Sequence, residues 1–143
     1  MGLSAGWQFW ALVAAVFAAL TAIFAKIGIS DIDSDLATFI RTCVIMLVLG
    51  AMLTAMGKWR NPQTIPLKTW IFLGLSGLAT GASWLAYFRA LKLGDASRVA
   101  PIDKLSIVLV AIFGVLFLGE HLSPMNWFGV AMIASGAIIL AVF

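Results

Sequence analysis

The chain has 143 residues, of which 63% are hydrophobic and only 10% are charged. A soluble domain carries about 25% charged residues, so this chain has too few of them to cover a surface that faces water. The net charge is only +3 and the basic residues are scattered, which excludes nucleic acid as a partner. The composition therefore predicts an integral membrane protein, for which membrane lipid is an obligatory partner.

Five apolar runs follow one another along the chain, separated by breaks rich in Pro, Gly, Asp or Lys. Because each run is close to the ~20 residues that cross a bilayer, they predict an all-α, polytopic membrane protein with one domain over residues 1–143. The helices are expected over residues 5–29, 35–56, 66–93, 96–119 and 124–143. Ser34 or Asp35 is the expected N-cap of the second helix, and Ser123-Pro124 matches the N-cap and first residue of the fifth.

The fourth predicted helix contains Pro101, followed by an acid and a base, Asp103 and Lys104. Asp103 lies eight residues past Asp95, the expected N-cap, and so about 12 Å inside the helix. Burying the two charges costs roughly 5–7 kcal/mol, and the apolar side chains of the same helix return only about 3–6 kcal/mol. The pair therefore needs partners from other helices or a wet cavity, and Pro101 is expected to bend the helix beside it. Since neighbouring side chains point about 100° apart on a helix, Asp103 is expected to pair with another helix while Lys104 faces the cavity or a second protomer.

Three further charges lie inside or at the edge of the predicted helices, and all are basic. When five crossings are counted, Lys26, Arg41 and Arg89 fall toward the same membrane side as Asp103 and Lys104, opposite the N-terminus. The excess of basic over acidic groups in this set favours a substrate that carries a carboxylate or a phosphate. The alternatives are that Lys26 only snorkels to the interface, and that Asp103 and Lys104 belong to a buried ion pair that fixes helix register.

Small residues mark two of the predicted helices. Gly77 and Gly81 form a GxxxG spacing in the third helix, and Gly129 and Gly136 lie on a small-residue face of the fifth. In an apolar span such glycines bring helices into contact, or leave room for a substrate beside the backbone. Helix packing is the favoured interpretation of both pairs.

Side chains that could support catalysis or bind a metal are few. Cys43 stands alone in an apolar run, and His121 is the single histidine, beside Glu120 at a helix end. A buried thiol and a solvated interfacial imidazole are the favoured interpretations. The sequence therefore predicts no enzyme activity, no metal site and no cofactor.

Four segments resemble the EamA domain of the drug/metabolite transporter superfamily. They are Ser97–Ile102 (SRVAPI), Phe113–Glu120 (FGVLFLGE), Asn126–Gly129 (NWFG) and Ala134–Gly136 (ASG), and their order and spacing extend the resemblance over essentially the whole chain. The resemblance implies that most members carry two such domains in inverted orientation, of which this chain corresponds to one. It implies a structural role for Gly119-Glu120 at a helix end. It implies no role for Asp103 and Lys104, because members usually carry apolar residues there.

A single five-helix unit lacks the repeat interface at which inverted-repeat transporters bind substrate near the midplane. The resemblance and the intramembrane charges therefore predict a secondary transporter or exporter of a small metabolite, acting as an antiparallel homodimer or with a paralogous half. One alternative is an accessory or structural membrane subunit without transport activity of its own. The other is an exporter of organic cations like the small-multidrug-resistance proteins. It is less favoured because those proteins carry a glutamate in the first helix, where this chain has only Lys26.

The orientation of the chain in the membrane is weakly specified. The side that carries the N-terminus has Lys58, Arg60 and Lys68, while the other side has Lys26, Lys92 and Arg98 near its surface, with Arg41 and Arg89 deeper. Under the positive-inside rule this is a small bias, so either one orientation wins narrowly or the chain inserts both ways. Insertion both ways would supply the two halves of an antiparallel pair. The expected location is the bacterial cytoplasmic (inner) membrane.

Overall fold

The computed structural model describes residues 6–143, most of which lie in helices. In chain order these are α1 (Trp7–Gly28), α2 (Ser34–Ala55), a short 3₁₀ turn (Pro62–Thr64), α3 (Leu67–Leu93), α4 (Ala96–Asp103), α5 (Ser106–Leu118) and α6 (Pro124–Val142). No β-strand occurs in this part of the chain. The all-α prediction is confirmed, although residue 5, where the first helix was expected to begin, lies outside the described residues.

Within residues 6–143, five helical spans are long and apolar enough to cross a membrane. They are Trp7–Gly28, Ser34–Ala55, Leu67–Leu93, Ala96–Leu118 and Pro124–Val142. Large apolar side chains along them are exposed, for example Leu47 at 70%, Leu116 at 68% and Phe117 at 77%. Exposing so much apolar surface to water is unfavourable, whereas the hydrocarbon core of a bilayer solvates it. The chain is therefore an integral membrane protein, as predicted.

The N-cap of α2 is Asp33, which precedes both of the residues expected to cap it. Its backbone is extended, and its Oδ1 accepts hydrogen bonds from the N–H groups of Asp35 (2.9 Å) and Leu36 (3.2 Å). The prediction of Ser34 or Asp35 is wrong because three consecutive residues carry a side-chain oxygen suited to capping, and sequence alone does not choose among them. Capping by Asp33 leaves the carboxylate of Asp35 available to another helix.

The cap of the last helix is as expected. The Oγ of Ser123 accepts a hydrogen bond from the N–H of Asn126 at 3.2 Å, and Pro124 is the first helical residue. At that position proline loses nothing, since its missing N–H would have had no partner within the helix.

The fourth crossing is interrupted between α4 and α5. The first of these helices ends at Asp103 and the second begins at Ser106. Pro101 cannot donate a backbone hydrogen bond, and after it the N–H groups of Leu105 and Ile107 bond to carbonyls three residues back, at 3.0 Å, instead of four. The structure thus places the interruption after Asp103 and not at Pro101 itself, because α4 continues for two residues beyond the proline before the hydrogen-bond pattern tightens.

The described chain divides into two compact units. One comprises residues 6–24 and Leu93–Phe143, and the other comprises Ala25–Lys92. In the first unit α6 packs against α4 and α5, and Gly114 and Ala137 are buried. In the second, the side chains of Phe88 and Leu91 are buried in α3. The assignment of the whole chain to one domain stays a prediction.

The end of α5 depends on a glycine in the left-handed region. Gly119 has φ 67° and ψ 25°, and its N–H and that of Glu120 both donate to the carbonyl of Gly114. The Glu120 carboxylate folds back over the same residue, since a Cβ built on Gly114 would lie 2.6 Å from Glu120 Oε2. This geometry agrees with the structural role expected for Gly119-Glu120.

Replacing Gly119 with Ala is expected to lower the free energy of unfolding by about 1–2 kcal/mol, because a Cβ strains left-handed backbone. Gly50→Ala is the matched control. Gly50 lies inside α2, where a Cβ meets no atom within 4 Å, so Ala should be neutral or stabilising by up to about 1 kcal/mol. Denaturant unfolding of both variants in detergent measures the difference, and equal stabilities would contradict the prediction.

Candidate transport site

Two lysines of the Ala25–Lys92 unit donate hydrogen bonds to backbone carbonyls. The Nζ of Lys26 donates to the carbonyl of Leu91 at 2.6 Å, and the Nζ of Lys92 donates to the carbonyl of Ile32. Leu91 belongs to the last turn of α3, where carbonyls have no donor within the helix and where the helix dipole favours a cation. Lys26 therefore ties the end of α1 to the end of α3.

Arg89 of α3 forms a two-point ion pair with Asp35 in the first turn of α2. Its Nε donates to Oδ1 at 3.0 Å and its Nη2 donates to Oδ2 at 2.5 Å. Such a fork-to-carboxylate geometry fixes the relative position of the two helix ends as well as their charges. Arg89 thus has a protein partner, and the candidate set gains Asp35, which the sequence analysis considered only as a helix cap.

Arg41 of α2 lies against two aromatic rings of α3. Its Cζ is 4.2 Å from the ring centroid of Trp84 and 5.5 Å from that of Phe88, within the range of cation–π attraction. Trp84 and Phe88 are one helical turn apart and so lie on one face of α3. The spacing of these two rings was a sequence signal that could have identified them as partners for a cation in a neighbouring span.

Asp103 and Lys104 pair with each other. The Nζ of Lys104 is 3.3 Å from Oδ2 of Asp103, and the side chains are 53% and 36% exposed, respectively. The expectation that the two side chains diverge is wrong: Lys104 still has helical backbone angles, but its long, flexible side chain reaches back to Asp103. The ion pair therefore lies at the interruption of the fourth crossing, beyond Pro101.

The five charged residues proposed from the sequence belong to two different units. Lys26, Arg41 and Arg89 lie in the Ala25–Lys92 unit, where each contacts α3 or belongs to it. Asp103 and Lys104 lie in the other unit, at the end of α4. Among residues 6–143, no group of three or more His, Cys, Asp or Glu side chains is placed to hold a metal.

Among residues 6–143, no atom lies in contact range of the side-chain positions at the four glycines predicted to pack helices. A Cβ built on Gly77, Gly81, Gly129 or Gly136 would meet no atom within 4 Å outside its own helix turn. Their packing role stays a prediction.

The chain matches the model of the EamA-like transporter family over residues 5–142. It belongs to that family. The resemblance drawn from the SRVAPI, FGVLFLGE, NWFG and ASG segments is thereby confirmed. The family and the bacterial relatives described next identify a membrane transporter, located in the inner membrane.

Relatives of this EamA-family chain include one protein of the same size, one shorter protein and one longer protein. It is 70% identical over 141 residues to an uncharacterized transporter in the cobO 3′ region of Sinorhizobium sp., covering 99% of this chain and 100% of that one. It is 35% identical over 107 residues to a probable 4-amino-4-deoxy-L-arabinose-phosphoundecaprenol flippase subunit, ArnE, of Salmonella heidelberg (strain SL476), covering 67% of this chain and 94% of that one. An uncharacterized transporter of Vibrio cholerae is 38% identical over 104 residues, which are 67% of this chain and 33% of its own length. No solved structure matches the EamA-family chain.

Proposed function

We propose that this EamA-family chain is a half-size secondary transporter that moves a small metabolite bearing a carboxylate or a phosphate. The observation that carries the proposal is the interrupted fourth crossing, with the Asp103–Lys104 ion pair at the break. Transporter sites near the midplane are commonly built from discontinuous helices, and ionisable groups are retained inside a membrane chiefly where they act on a solute.

The proposed roles of the charged residues follow their contacts. Asp103 and Lys104 line or gate the pathway, and Arg41 contributes a cation to the substrate. Lys26 and Arg89 act as positioning residues, because they already bind a carbonyl and a carboxylate that join helices of the Ala25–Lys92 unit. The set contains four basic side chains and only two acidic ones, Asp35 and Asp103, and this excess of positive charge supports an anionic substrate.

The proposed working unit contains a second half, either another copy in antiparallel orientation or a paralogous chain. Support comes from the Vibrio cholerae transporter, of whose length the match covers 33%, and from Gly77, Gly81, Gly129 and Gly136, where a built Cβ meets no atom of residues 6–143 within 4 Å. In inverted-repeat transporters the substrate site forms where the two repeats meet. One half alone would present Asp103 and Lys104 to lipid.

A second candidate is a subunit that works only with a different membrane protein. The observation that favours it is the similarity to ArnE, whose name makes it a flippase subunit and which this chain covers at 94% of its length. That name includes a phosphate-linked lipid, so a phosphate-bearing substrate is common to both candidates. Export of organic cations is the least supported of the transport hypotheses, since α1 holds no acid. We propose no catalytic activity.

Reconstitution of the purified chain alone tests the proposal. Proteoliposomes are exposed in turn to carboxylates, phosphate esters and quaternary ammonium ions, and uptake is followed with labelled solutes. We expect saturable uptake within the anionic classes by a chain that crosslinks to a second copy of itself. Uptake of quaternary ammonium ions alone would favour the cation exporter, and inactivity together with a co-purified chain of different sequence would favour the subunit.

A further inference from the structure

Arg41 differs from the other basic side chains near its end of the Ala25–Lys92 unit. Lys26 and Lys92 donate to carbonyls, and Arg89 donates twice to Asp35. For the Arg41 guanidinium, no hydrogen-bond acceptor and no carboxylate within 4.0 Å is found among residues 6–143; its contacts are aromatic. The side chain is half-buried, and lies seven residues past the start of α2, or roughly 10 Å along the helix.

The acidic groups at this end bind residues other than Arg41. Asp33 Oδ1 accepts two backbone hydrogen bonds as the cap of α2, and both oxygens of Asp35 accept from Arg89. Asp31 Oδ2 accepts from the hydroxyl of Ser30 at 3.0 Å. None of these carboxylates lies within 4.0 Å of Arg41, so its guanidinium is available to an anion from outside this unit.

The aromatic contacts hold the guanidinium without using its donors. Trp84 and Phe88 attract the cation through their ring faces, and Phe88 is only 2% exposed, so this support is fixed by the packing of α3. A guanidinium bears five N–H donors in one plane, arranged to bind two oxygens of a carboxylate or a phosphate together. No acceptor among residues 6–143 is bonded to these donors, and the ring contacts reduce the conformational entropy lost when an anion binds.

We propose that Arg41, held on Trp84 and Phe88, is an oxyanion-binding site that takes the carboxylate or phosphate group of a solute or of a lipid headgroup. The proposal rests on the function proposed above and adds to it the residue that recognises the anion and the ring that positions it. It assigns Trp84 a positioning role, which the sequence patterns had not suggested.

Equilibrium binding tests the site without any measurement of transport. The full chain is placed in nanodiscs of digalactosyldiacylglycerol, a lipid without phosphate, and titrated at constant ionic strength with inorganic phosphate, and separately with acetate, while indole fluorescence is recorded. We expect a saturable change for the wild type, none for Arg41→Gln, and binding weaker by about tenfold for Arg41→Lys, which keeps the charge but loses the fork. Trp84→Leu should weaken binding as well, while Trp84→Phe, which keeps a ring face, should retain most of it when binding is followed by calorimetry.

Arg60→Gln is the matched control, since Arg60 is an exposed arginine of the loop that follows α2. It should bind phosphate within about twofold of the wild type, because an exposed charge beyond the far end of α2 contributes little to a site at Arg41. A second set of nanodiscs contains phosphatidic acid. If phosphate then binds more weakly and native mass spectrometry finds this lipid on the wild type but not on Arg41→Gln, the anion is a headgroup; unchanged phosphate binding makes it a free solute.

Two results would overturn the site: no saturable response of the wild type to either anion in either lipid, or a folded Arg41→Gln or Arg41→Lys variant that titrates like the wild type. Saturable binding in a protein that transports nothing would overturn the proposed transport and leave the site standing. Transport that survives in a variant unable to bind phosphate would overturn Arg41 as the recognition site and leave the proposed transport standing.

Discussion

Replacing Asp103 with Asn is expected to reduce transport by the reconstituted protein by about 100-fold or more, because it leaves the Lys104 ammonium unpaired at the break between α4 and α5. Asn has nearly the same shape as Asp and still accepts a hydrogen bond, so the loss reports the charge. Initial rates of labelled-solute uptake into proteoliposomes measure it, with protein insertion matched between samples.

Asp31→Asn is the control for this measurement. Asp31 is an exposed aspartate of the loop between α1 and α2, and its substitution should leave uptake within about twofold of the wild type. Undiminished flux through a folded Asp103→Asn protein would remove Asp103 from the mechanism.

The exchange of the two residues separates a substrate site from a purely structural pair. In the double variant Asp103→Lys, Lys104→Asp, the charges remain adjacent at the end of α4 and could still pair as they do now at 3.3 Å. A pair that only stabilises the break should tolerate the exchange, whereas a site that presents one sign of charge to a solute should not. We therefore expect the double variant to fold and to lose transport.

The apolar runs determined most of the fold, since a bilayer permits few alternatives to helices of about 20 residues. All five crossings lie where hydropathy and the Pro, Gly and Asp breaks predicted them, with ends within a few residues. The interruption after Asp103 was harder to place. Pro101 indicates that one backbone hydrogen bond is lost, but the residue at which the α-helical hydrogen bonds end depends on how the following turns pack.

Partners across helices were less accessible from the sequence than the helices themselves. The Arg89–Asp35 pair joins residues 54 positions apart, and sequence patterns alone predicted separate roles for them, Arg89 as a substrate ligand and Asp35 as a cap. Their positions near adjoining ends of α3 and α2 were visible, yet three aspartates compete in that loop, and only the choice of Asp33 as cap releases Asp35. For Arg41 the sequence offers several aromatic residues as possible partners. Hydropathy does not distinguish whether Trp84 and Phe88 face lipid or are buried against another helix.

Fixing the orientation of the chain is expected to abolish transport, and mixing the two fixed forms is expected to restore it. The basic residues near the two surfaces are balanced, with Lys58, Arg60 and Lys68 on one side and Lys26, Lys92 and Arg98 on the other. Adding two lysines to either side should therefore decide the orientation under the positive-inside rule. Gln8→Lys with Gln63→Lys biases the first side, and Ser30→Lys with Ser97→Lys biases the second.

Reporters at both termini, one active only in the cytoplasm and one only outside it, should show each terminus of the wild type on both sides and each terminus of a biased variant on one. Either biased variant alone should lose at least about tenfold of the uptake rate, because an antiparallel site needs both orientations. Co-expression of the two variants should return most of it. Gln8→Asn with Gln63→Asn, which adds no charge, should transport like the wild type.

These outcomes discriminate between the two possible second halves. Full activity of a chain with one fixed orientation would show that no inverted copy is required, and a paralogous partner would then supply the missing repeat. Recovery only on co-expression would show that the pathway is assembled from two inverted copies, with Asp103 and Lys104 contributed twice. In that case an Asp103→Asn variant of one fixed orientation can be co-expressed with the intact chain of the other orientation. The uptake rate of this mixture shows whether transport needs the ion pair in both copies.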